Sequence, residues 1–257
     1  MTPAVADVKV ALTDGLTDLR LPTMRHCYEE AARLAERETL SYERYLLELV
    51  RRECEDRQRK RIQRLLRQSR IPAEKGLANF NLKRLPPKVG LVTKTLLEGE
   101  FLNRCENVLA FGNPGSGKTH LLCAIGQELI ARGRRIYFTT SALLVQDLLV
   151  AKRDLKLSRF IKRLASYEGL IIDDLGYVQQ SREEMEVLFT LLAERYERGS
   201  VLISSNLPFS KWEGIFKDPM TTAAAIDRLV HHCVILELNI PSYRVEQAKK
   251  AKQEATA

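Results

Sequence analysis

Residues 112–119 read Gly112-Asn113-Pro114-Gly115-Ser116-Gly117-Lys118-Thr119 and fit the phosphate-loop pattern G-x-x-x-x-G-K-[ST] at every fixed position. In such a loop the glycines let the backbone curl around anionic oxygens, the lysine reaches the β- and γ-phosphates, and the threonine hydroxyl holds Mg²⁺. An apolar run at 107–111 and a helical pattern at 120–131 supply the strand and the helix that the loop requires. The sequence therefore predicts an enzyme that binds and hydrolyses a nucleoside triphosphate. The residues expected around the phosphates are Gly112, Asn113, Pro114, Gly115, Ser116, Gly117, Lys118, Thr119 and His120.

Composition narrows the class of partner and the compartment. The 257 residues carry a formal net charge of +8, which favours a polyanionic partner, either nucleic acid or an acidic protein surface. The five cysteines include no C-x-x-C pair, which favours reduced thiols over a zinc site or a disulfide framework. Residues 1–10 lack a signal-peptide pattern, and no apolar run approaches the ~20 residues that span a bilayer. These features predict a cytoplasmic protein that does not associate with a membrane.

The pattern along the chain predicts a small helical domain followed by an α/β core. Apolar residues recur at helical spacing from Pro22 to about Arg70, with Ser41 placed to cap a second helix. We expect a helical domain at 1–72 that binds DNA or a partner, a linker at 73–92, the nucleotide-binding core at 93–247 and a flexible tail at 248–257. In the core, apolar runs alternate with helical patterns, which predicts a parallel sheet whose ligand site lies at the carboxyl ends of the strands. The expected strands are Val108–Phe111, Ile136–Thr139, Leu170–Ile172, Val201–Ser204 and Val234–Leu238.

Two of these strands end in polar side chains. The third runs into Asp173-Asp174 and the fourth into Ser204-Ser205-Asn206. In phosphate-loop enzymes an aspartate at the third position holds Mg²⁺ together with the loop hydroxyl, which makes Asp173 and Thr119 the predicted metal ligands. Asp174 is the predicted general base for the attacking water, although a turn before Gly176 is the alternative for the pair. The amide of Asn206 is predicted to sense the γ-phosphate or the lytic water, although Asn-x-Pro is also common turn chemistry.

Three residues late in the chain need separate interpretations. Arg228 lies in a helical pattern, where its guanidinium could donate to a γ-phosphate held by a neighbouring subunit. An ordinary surface arginine is the alternative for Arg228 taken alone. His231 and His232 are interpreted as polar residues that lead into the last strand, and not as metal ligands, because no third ligand is close in sequence.

Two groups of basic residues are candidates for DNA contact. One closes the helical domain with no acidic residue among its members, and the other lies in the helices after the second strand. A solvated, cationic helix face is the alternative for each group, whereas phosphate contact is the functional interpretation. The predicted DNA-binding residues are Arg57, Lys60, Arg61, Arg64, Lys156, Arg159, Lys162 and Arg163.

In this order, the motifs resemble those of the IstB-like ATPases, the helper proteins of insertion-sequence transposons. These are AAA+ proteins related to DnaC-type helicase loaders and to the DnaA initiator, and the resemblance covers nearly the whole chain. The stretches that carry it are Asn107-Val108-Leu109, Gly117-Lys118-Thr119-His120-Leu121, Ile171-Ile172-Asp173-Asp174-Leu175-Gly176-Tyr177, Ser204-Ser205-Asn206, Ile226-Asp227-Arg228-Leu229 and Ser242-Tyr243-Arg244.

The resemblance implies an AAA+ core, with a parallel sheet between helices and no C-terminal helical lid. It implies ATP and Mg²⁺ as cofactors and a homo-oligomer with ATP sites at subunit interfaces, which binds duplex DNA and stimulates a cognate transposase. The catalytic residues that it implies are Lys118, Asp174, Asn206 and a trans-acting Arg228, and Arg244 could partly substitute for a lid arginine. A DnaC-like helicase loader would share the nucleotide residues but would prefer single-stranded DNA. An ATP-binding assembly switch with negligible turnover would also share them.

Overall fold

The computed structural model describes residues 5–176, 181–212, 219–243 and 245–246. The chain divides into two compact units, residues 1–64 and residues 65–257. The boundaries expected from composition, at residues 72, 92 and 247, stay predictions. Arg244 lies outside the described residues, so its predicted role stays a prediction too.

The first unit is helical. It contains α1 (Val5–Asp18), α2 (Pro22–Arg37) and most of α3 (Tyr42–Ser69), and its core is formed by Leu16, Met24, Ala31 and Leu49. Proline at the start of α2 needs no amide partner, and the carboxylate of Glu53 on α3 accepts hydrogen bonds from the next two amides, of Thr23 and Met24, at 2.8 and 3.0 Å. The helix α1 lies before the first helix that the sequence pattern indicated. Its apolar stripe is weak, since Val8 and Leu12 are exposed.

The second unit is built on five parallel strands, which confirms the predicted α/β class. The strands lie in the order β2-β3-β4-β1-β5, and every neighbouring pair is parallel. Because β1 lies between β4 and β5, the loop that follows β1 opens at the sheet's carboxyl edge with a strand on each side. The strands are β1 (Asn107–Gly112), β2 (Ile136–Thr140), β3 (Gly169–Leu175), β4 (Ser200–Ser205) and β5 (Cys233–Leu238).

Helices cover both faces of this sheet. Alternate residues of β3 point to opposite faces of the sheet. Leu170 and Ile172 pack in the core with the helices that follow β2 and β3. Ile171 packs against the phosphate-loop helix on the other face, so closely that a Cβ on Gly126 would lie 2.8 Å from Ile171 Cδ1. Among the described residues, short 3₁₀ turns lie at Leu77–Asn79, Leu82–Arg84 and Phe209–Lys211. The helices are α4 (Pro87–Glu98), α5 (Glu100–Asn103), α6 (Lys118–Ala131), α7 (Ser141–Arg153), α8 (Leu157–Ala165), α9 (Arg182–Arg195) and α10 (Pro219–Val230).

Among the described helices, none combines the length and the apolar character that crossing a bilayer demands.

Candidate nucleotide-binding site

The loop between β1 and α6 has the backbone that phosphate binding requires. Gly112, Gly115 and Gly117 have φ of 153°, 79° and 97°, values that side-chain-bearing residues rarely adopt. Space is also restricted, because a Cβ on Gly115 would lie 2.1 Å from Ser242 Oγ. The loop ends at the amino terminus of α6, where free backbone N–H groups and the helix dipole favour an anion.

Lys118 connects this loop to the end of β4. Its side chain is buried, with 4% relative exposure, and Nζ donates hydrogen bonds to Gly112 O at 2.8 Å, Asn113 O at 2.9 Å and Asn206 Oδ1 at 2.6 Å. Two of the predicted catalytic side chains, Lys118 and Asn206, are therefore in direct contact. Their residues are far apart in sequence and meet because β1 and β4 are neighbours in the sheet.

The two aspartates of β3 have different environments because the strand bulges between them. Ile172 pairs with Ile203, but Leu175 pairs with Ser205, so two residues of β3 oppose Ser204 alone. Asp173 is buried and Asp174 is exposed, and Asp174 has φ +56°, the left-handed conformation that aspartate tolerates better than most residues. The bulge thus directs the two carboxylates to different places.

Ser204 holds both aspartates, a role that the sequence did not reveal. Its Oγ donates to Asp173 Oδ1 at 2.5 Å and accepts the hydrogen bond of the Asp174 amide at 2.9 Å. The side chain of Ser204 is fully buried. One hydroxyl therefore fixes the orientation of the buried carboxylate and the strained backbone of its neighbour.

Replacing Ser204 with alanine is expected to lower the turnover number for ATP by about 10- to 100-fold, the range typical for loss of a partner that orients a metal ligand. ATP affinity should change little, because the hydroxyl of Ser204 hydrogen-bonds to the two aspartates and not to the nucleotide-binding loop in the contacts described above. Steady-state hydrolysis and equilibrium binding separate the two effects. Ser200→Ala is the matched control, since Ser200 is a buried serine at the other end of β4; equal turnover in the two variants would contradict the positioning role.

The loop, Asp174 and Asn206 line one cavity of about 500 Å³. Thr119 and His120 also line it, and His120 Nε2 lies 3.0 Å from Gly76 O, which ties the segment before α4 to the loop helix. This segment and the segment after β5 complete the wall with residues that sequence reasoning missed: Glu74, Lys75 and Tyr243. The quoted Ser242-Tyr243 stretch was the available signal for the last of these, and the Tyr243 amide donates to Gly115 O at 3.0 Å.

Cys123 lies on α6, one turn after the loop. Burial raises the pKa of its thiol to about 12, so the thiol is protonated at neutral pH and is not a nucleophile. The described cysteines are all free.

Arg228 lies away from this cavity. It lines a separate cavity of about 270 Å³ together with Asn107 and His232, at the amino edge of the sheet. Since β1 runs from Asn107 to the loop and a strand rises about 3.3 Å per residue, the two edges are roughly 17 Å apart. Arg228 Nη1 is buried with no hydrogen-bond partner among the described residues, and the guanidinium carbon lies 4.7 Å from the centroid of the Phe189 ring.

Residues 14–251 match the family described as IstB-like ATP binding protein. This chain belongs to that family. The match includes every described residue of the cavity.

Individual proteins agree with this assignment to the IstB-like family. An insertion-sequence ATP-binding protein of Sinorhizobium fredii is 41% identical over 239 residues, which cover 93% of this chain and 80% of the relative. The insertion sequence IS5376 ATP-binding protein of Geobacillus stearothermophilus is 35% identical over 231 residues, 90% of this chain and 92% of the relative. Among solved structures, the DnaC helicase loader superposes with a TM-score of 0.53 at 19% identity, over 63% of this chain and 97% of the loader. That likeness concerns the fold alone, and it agrees with the predicted core of a parallel sheet between helices.

The basic residues of this IstB-like chain differ in what surrounds them. In the first unit, Arg57 and Lys60 form ion pairs within α3, with Glu53 at 2.8 Å and Asp56 at 2.6 Å; hydrogen bonding from Lys60 is the largest cause that holds the pKa of Asp56 at about 2. The exposed Arg61 and Arg64 follow on the same helix.

In the second unit the basic residues cluster on and before α8. Lys156 pairs with Asp154 at 3.6 Å and the guanidinium of Arg163 lies over the Phe160 ring, while Arg159 and Lys162 are exposed on α8. DNA contact by either group stays a prediction.

Proposed function

We propose that this protein binds ATP with Mg²⁺ and hydrolyses it to ADP and phosphate. The observation that carries the proposal is the meeting of the phosphate loop, Lys118, Asn206 and the Asp173-Asp174 pair at one edge of the sheet. An ammonium, an amide and two carboxylates at that edge are the groups that phosphoryl transfer uses. The names of the curated relatives, which call them insertion-sequence ATP-binding proteins, support the choice of nucleotide.

The residues present fit a magnesium ion. Thr119 and Asp173 offer hard oxygen ligands, which Mg²⁺ prefers, and the hydrogen bond from Ser204 fixes one oxygen of Asp173. When bound, Mg²⁺ would neutralise negative charge that develops during phosphoryl transfer.

The remaining roles follow from position. The amides of the loop and Lys118 bind the phosphates, Asp174 accepts a proton from the attacking water, and Asn206 orients that water or the γ-phosphate. The low exposure of Lys118 strengthens its attraction to an anion, because charges interact more strongly away from bulk water.

We further propose that the protein is a homo-oligomer in which Arg228 completes the site of a neighbour. Arg228 lies at the opposite edge of the sheet from the loop of its own chain, which supports a role at another subunit's site over one at its own. Arg228 is only partly buried, which leaves part of its side chain accessible to an anionic acceptor supplied from outside the chain.

The wider role that we propose is ATP-dependent help to DNA transposition. The assembled protein holds duplex DNA through the basic face of α8 and recruits or stimulates a cognate transposase. The insertion-sequence origin of the named relatives supports this role, and the net charge of +8 suits a DNA partner.

The test is steady-state ATP hydrolysis by the purified protein with and without duplex DNA. Turnover that duplex DNA stimulates more than single-stranded DNA is the expected result. A preference for single-stranded DNA would favour a helicase loader, whose fold is shared. Tight ATP binding with no turnover under any condition would favour an assembly switch.

Reversing charge at Arg159 and Lys162 together is expected to weaken duplex binding and to leave ATP binding unchanged. Each lost phosphate contact should reduce the steepness of the fall of log affinity with log salt by about 0.9. The slope of the double variant should therefore be shallower than that of the parent by about one to two. The measurement is DNA affinity over a range of salt concentrations. The control is Lys88→Glu with Lys94→Glu, two exposed lysines on α4; the same slope and affinity for both double variants would exclude the α8 assignment.

A further inference from the structure

Three side chains that bind transition metals meet at the amino edge of the sheet. The three residues are Glu197, His231 and His232, and all three are exposed. Each offers one ligand atom, and these three atoms lie within 4.8 Å of one another. We propose that they form a site for a divalent transition metal of the Zn²⁺ type, separate from the predicted Mg²⁺ site at the carboxyl edge. The two histidines supply only two ligands. Glu197 is distant from them in sequence and becomes the third ligand because the fold brings it beside them.

The fold brings two distant turns together. Glu197 lies in the turn between α9 and β4, and the histidines lie in the turn between α10 and β5. Because β4 and β5 both pair with β1, the two turns enter the sheet on either side of the same strand.

Asn107, the first residue of β1, fixes both turns at once. Its amide donates to His232 O at 2.8 Å, its Nδ2 donates to Leu229 O at 3.1 Å, and its Oδ1 accepts from the Val201 amide at 2.9 Å. The side chain is buried at 9% relative exposure. The backbones that carry the ligands are therefore held from a common point, which lowers the entropy that metal binding has to overcome.

The turn with Glu197 is fixed a second time by Arg195. The buried guanidinium donates to Ser200 O at 2.9 Å, beyond the turn, and to Leu164 O at 2.9 Å. Burial lowers the pKa of Arg195 to about 10, so it is still charged at neutral pH. Glu197 itself has φ +56°, a conformation that costs a glutamate energy and persists because its surroundings impose it.

A hydrogen-bond partner outside the ligand set orients one imidazole. The hydroxyl of Tyr196 lies 3.1 Å from His231 Nδ1. When Nδ1 carries the proton and donates to this oxygen, the lone pair of Nε2 is left for a metal. Such a second hydrogen bond on the far nitrogen accompanies almost every metal-bound histidine.

The donor set selects the class of metal. Two imidazoles and one carboxylate bind Zn²⁺, Co²⁺ or Ni²⁺, whereas Mg²⁺ and Ca²⁺ prefer oxygen ligands alone. Zinc holds such ligands at about 2.0–2.2 Å, so the three ligand atoms need only small side-chain rotations to converge. Three protein ligands also leave a coordination position for water or a fourth ligand.

The site adjoins Arg228. Arg228, Glu197 and His232 line the same cavity. If Arg228 acts on a neighbour's ATP, as proposed above, a bound dication beside it should lower the turnover of the assembled protein. This consequence rests on the proposed function, whereas metal binding itself does not.

The experiment is a Co²⁺ titration of the full-length protein under reducing conditions, followed by visible absorption and then by displacement with Zn²⁺. One equivalent of Co²⁺ with d–d absorption, and no thiolate-to-cobalt band, is expected. Glu197→Gln and His232→Ala should each weaken Co²⁺ binding at least about tenfold, with unchanged circular dichroism. His26→Ala is the matched control, since His26 is an exposed histidine of the first unit.

Three results would overturn the site: no saturable Co²⁺ or Zn²⁺ binding, equal loss in His26→Ala and His232→Ala, or a thiolate band that assigns the metal to cysteine. Inhibition of ATP turnover by Zn²⁺ in the parent, and its loss in His232→Ala, tests the link to Arg228 separately. Metal binding without inhibition would overturn that link and leave the site standing. A parent without any turnover contradicts the proposed function, while the titration still decides the metal site.

Discussion

Lys118→Ala is expected to abolish ATP turnover and to weaken ATP binding at least about 100-fold, which corresponds to about 2.8 kcal/mol. The ammonium is the one buried cation that contacts both the phosphate loop and Asn206 among the described residues. Removing a buried charge that pairs with an anion typically costs a few kcal/mol. Turnover should fall further than affinity, because Lys118 also stabilises the charge that moves onto the departing phosphates.

Affinity is measured by equilibrium titration with a fluorescent ATP analogue, and turnover by phosphate release. Lys118→Ala also frees Gly112 O and Asn206 Oδ1, so thermal unfolding without nucleotide must accompany both measurements. Lys94→Ala removes an exposed lysine from α4 and should match the parent in all three. Wild-type affinity in a folded Lys118→Ala protein would remove the basis of the proposed function.

The sequence predicted the parts of this site that depend on local patterns. The five strands are short apolar runs, two of which lead into polar side chains, and such runs can be recognised one at a time. Their parallel pairing then places the ends of β1, β3 and β4 at one edge. That edge contains Lys118, Asn206 and the two aspartates, as expected.

The parts that depend on long-range pairing could not be predicted. At Asp174 the register between β3 and β4 shifts, and the hydroxyl of Ser204 hydrogen-bonds to both aspartates there. Glu197 and the two histidines could not be predicted as a group for the same reason. They lie in two separate turns that are brought together by the pairing of β4 and β5 with β1, and no local sequence pattern indicates that pairing. The segment that contains Gly76 was expected as a linker, but its carbonyl contacts His120, which composition cannot indicate.

Mixing Arg228→Ala with Lys118→Ala is expected to restore ATP turnover that neither variant shows alone. An arginine supplied in trans contributes about 10³- to 10⁵-fold to the rate in phosphate-loop enzymes, so Arg228→Ala alone should be nearly inactive although it still binds ATP. In a mixed head-to-tail assembly, an intact site needs the loop of an Arg228→Ala subunit beside the arginine of a Lys118→Ala subunit. When equal amounts mix at random, roughly a quarter of the interfaces have this arrangement, because the loop and the arginine each come from the required variant about half of the time.

The control is the double variant Lys118→Ala with Arg228→Ala, mixed with Arg228→Ala, because that mixture has no intact arginine and should stay inactive. Oligomer size is followed by light scattering in every mixture, so that lost assembly is not mistaken for lost chemistry. The two edges of the sheet are roughly 17 Å apart by the length of β1, with Arg228 at one edge and the loop at the other, so action within one chain would need the fold to rearrange. Intact oligomers that show no rescue would place Arg228 outside the hydrolysis machinery, and its burial against Phe189 would then be a matter of packing in α10.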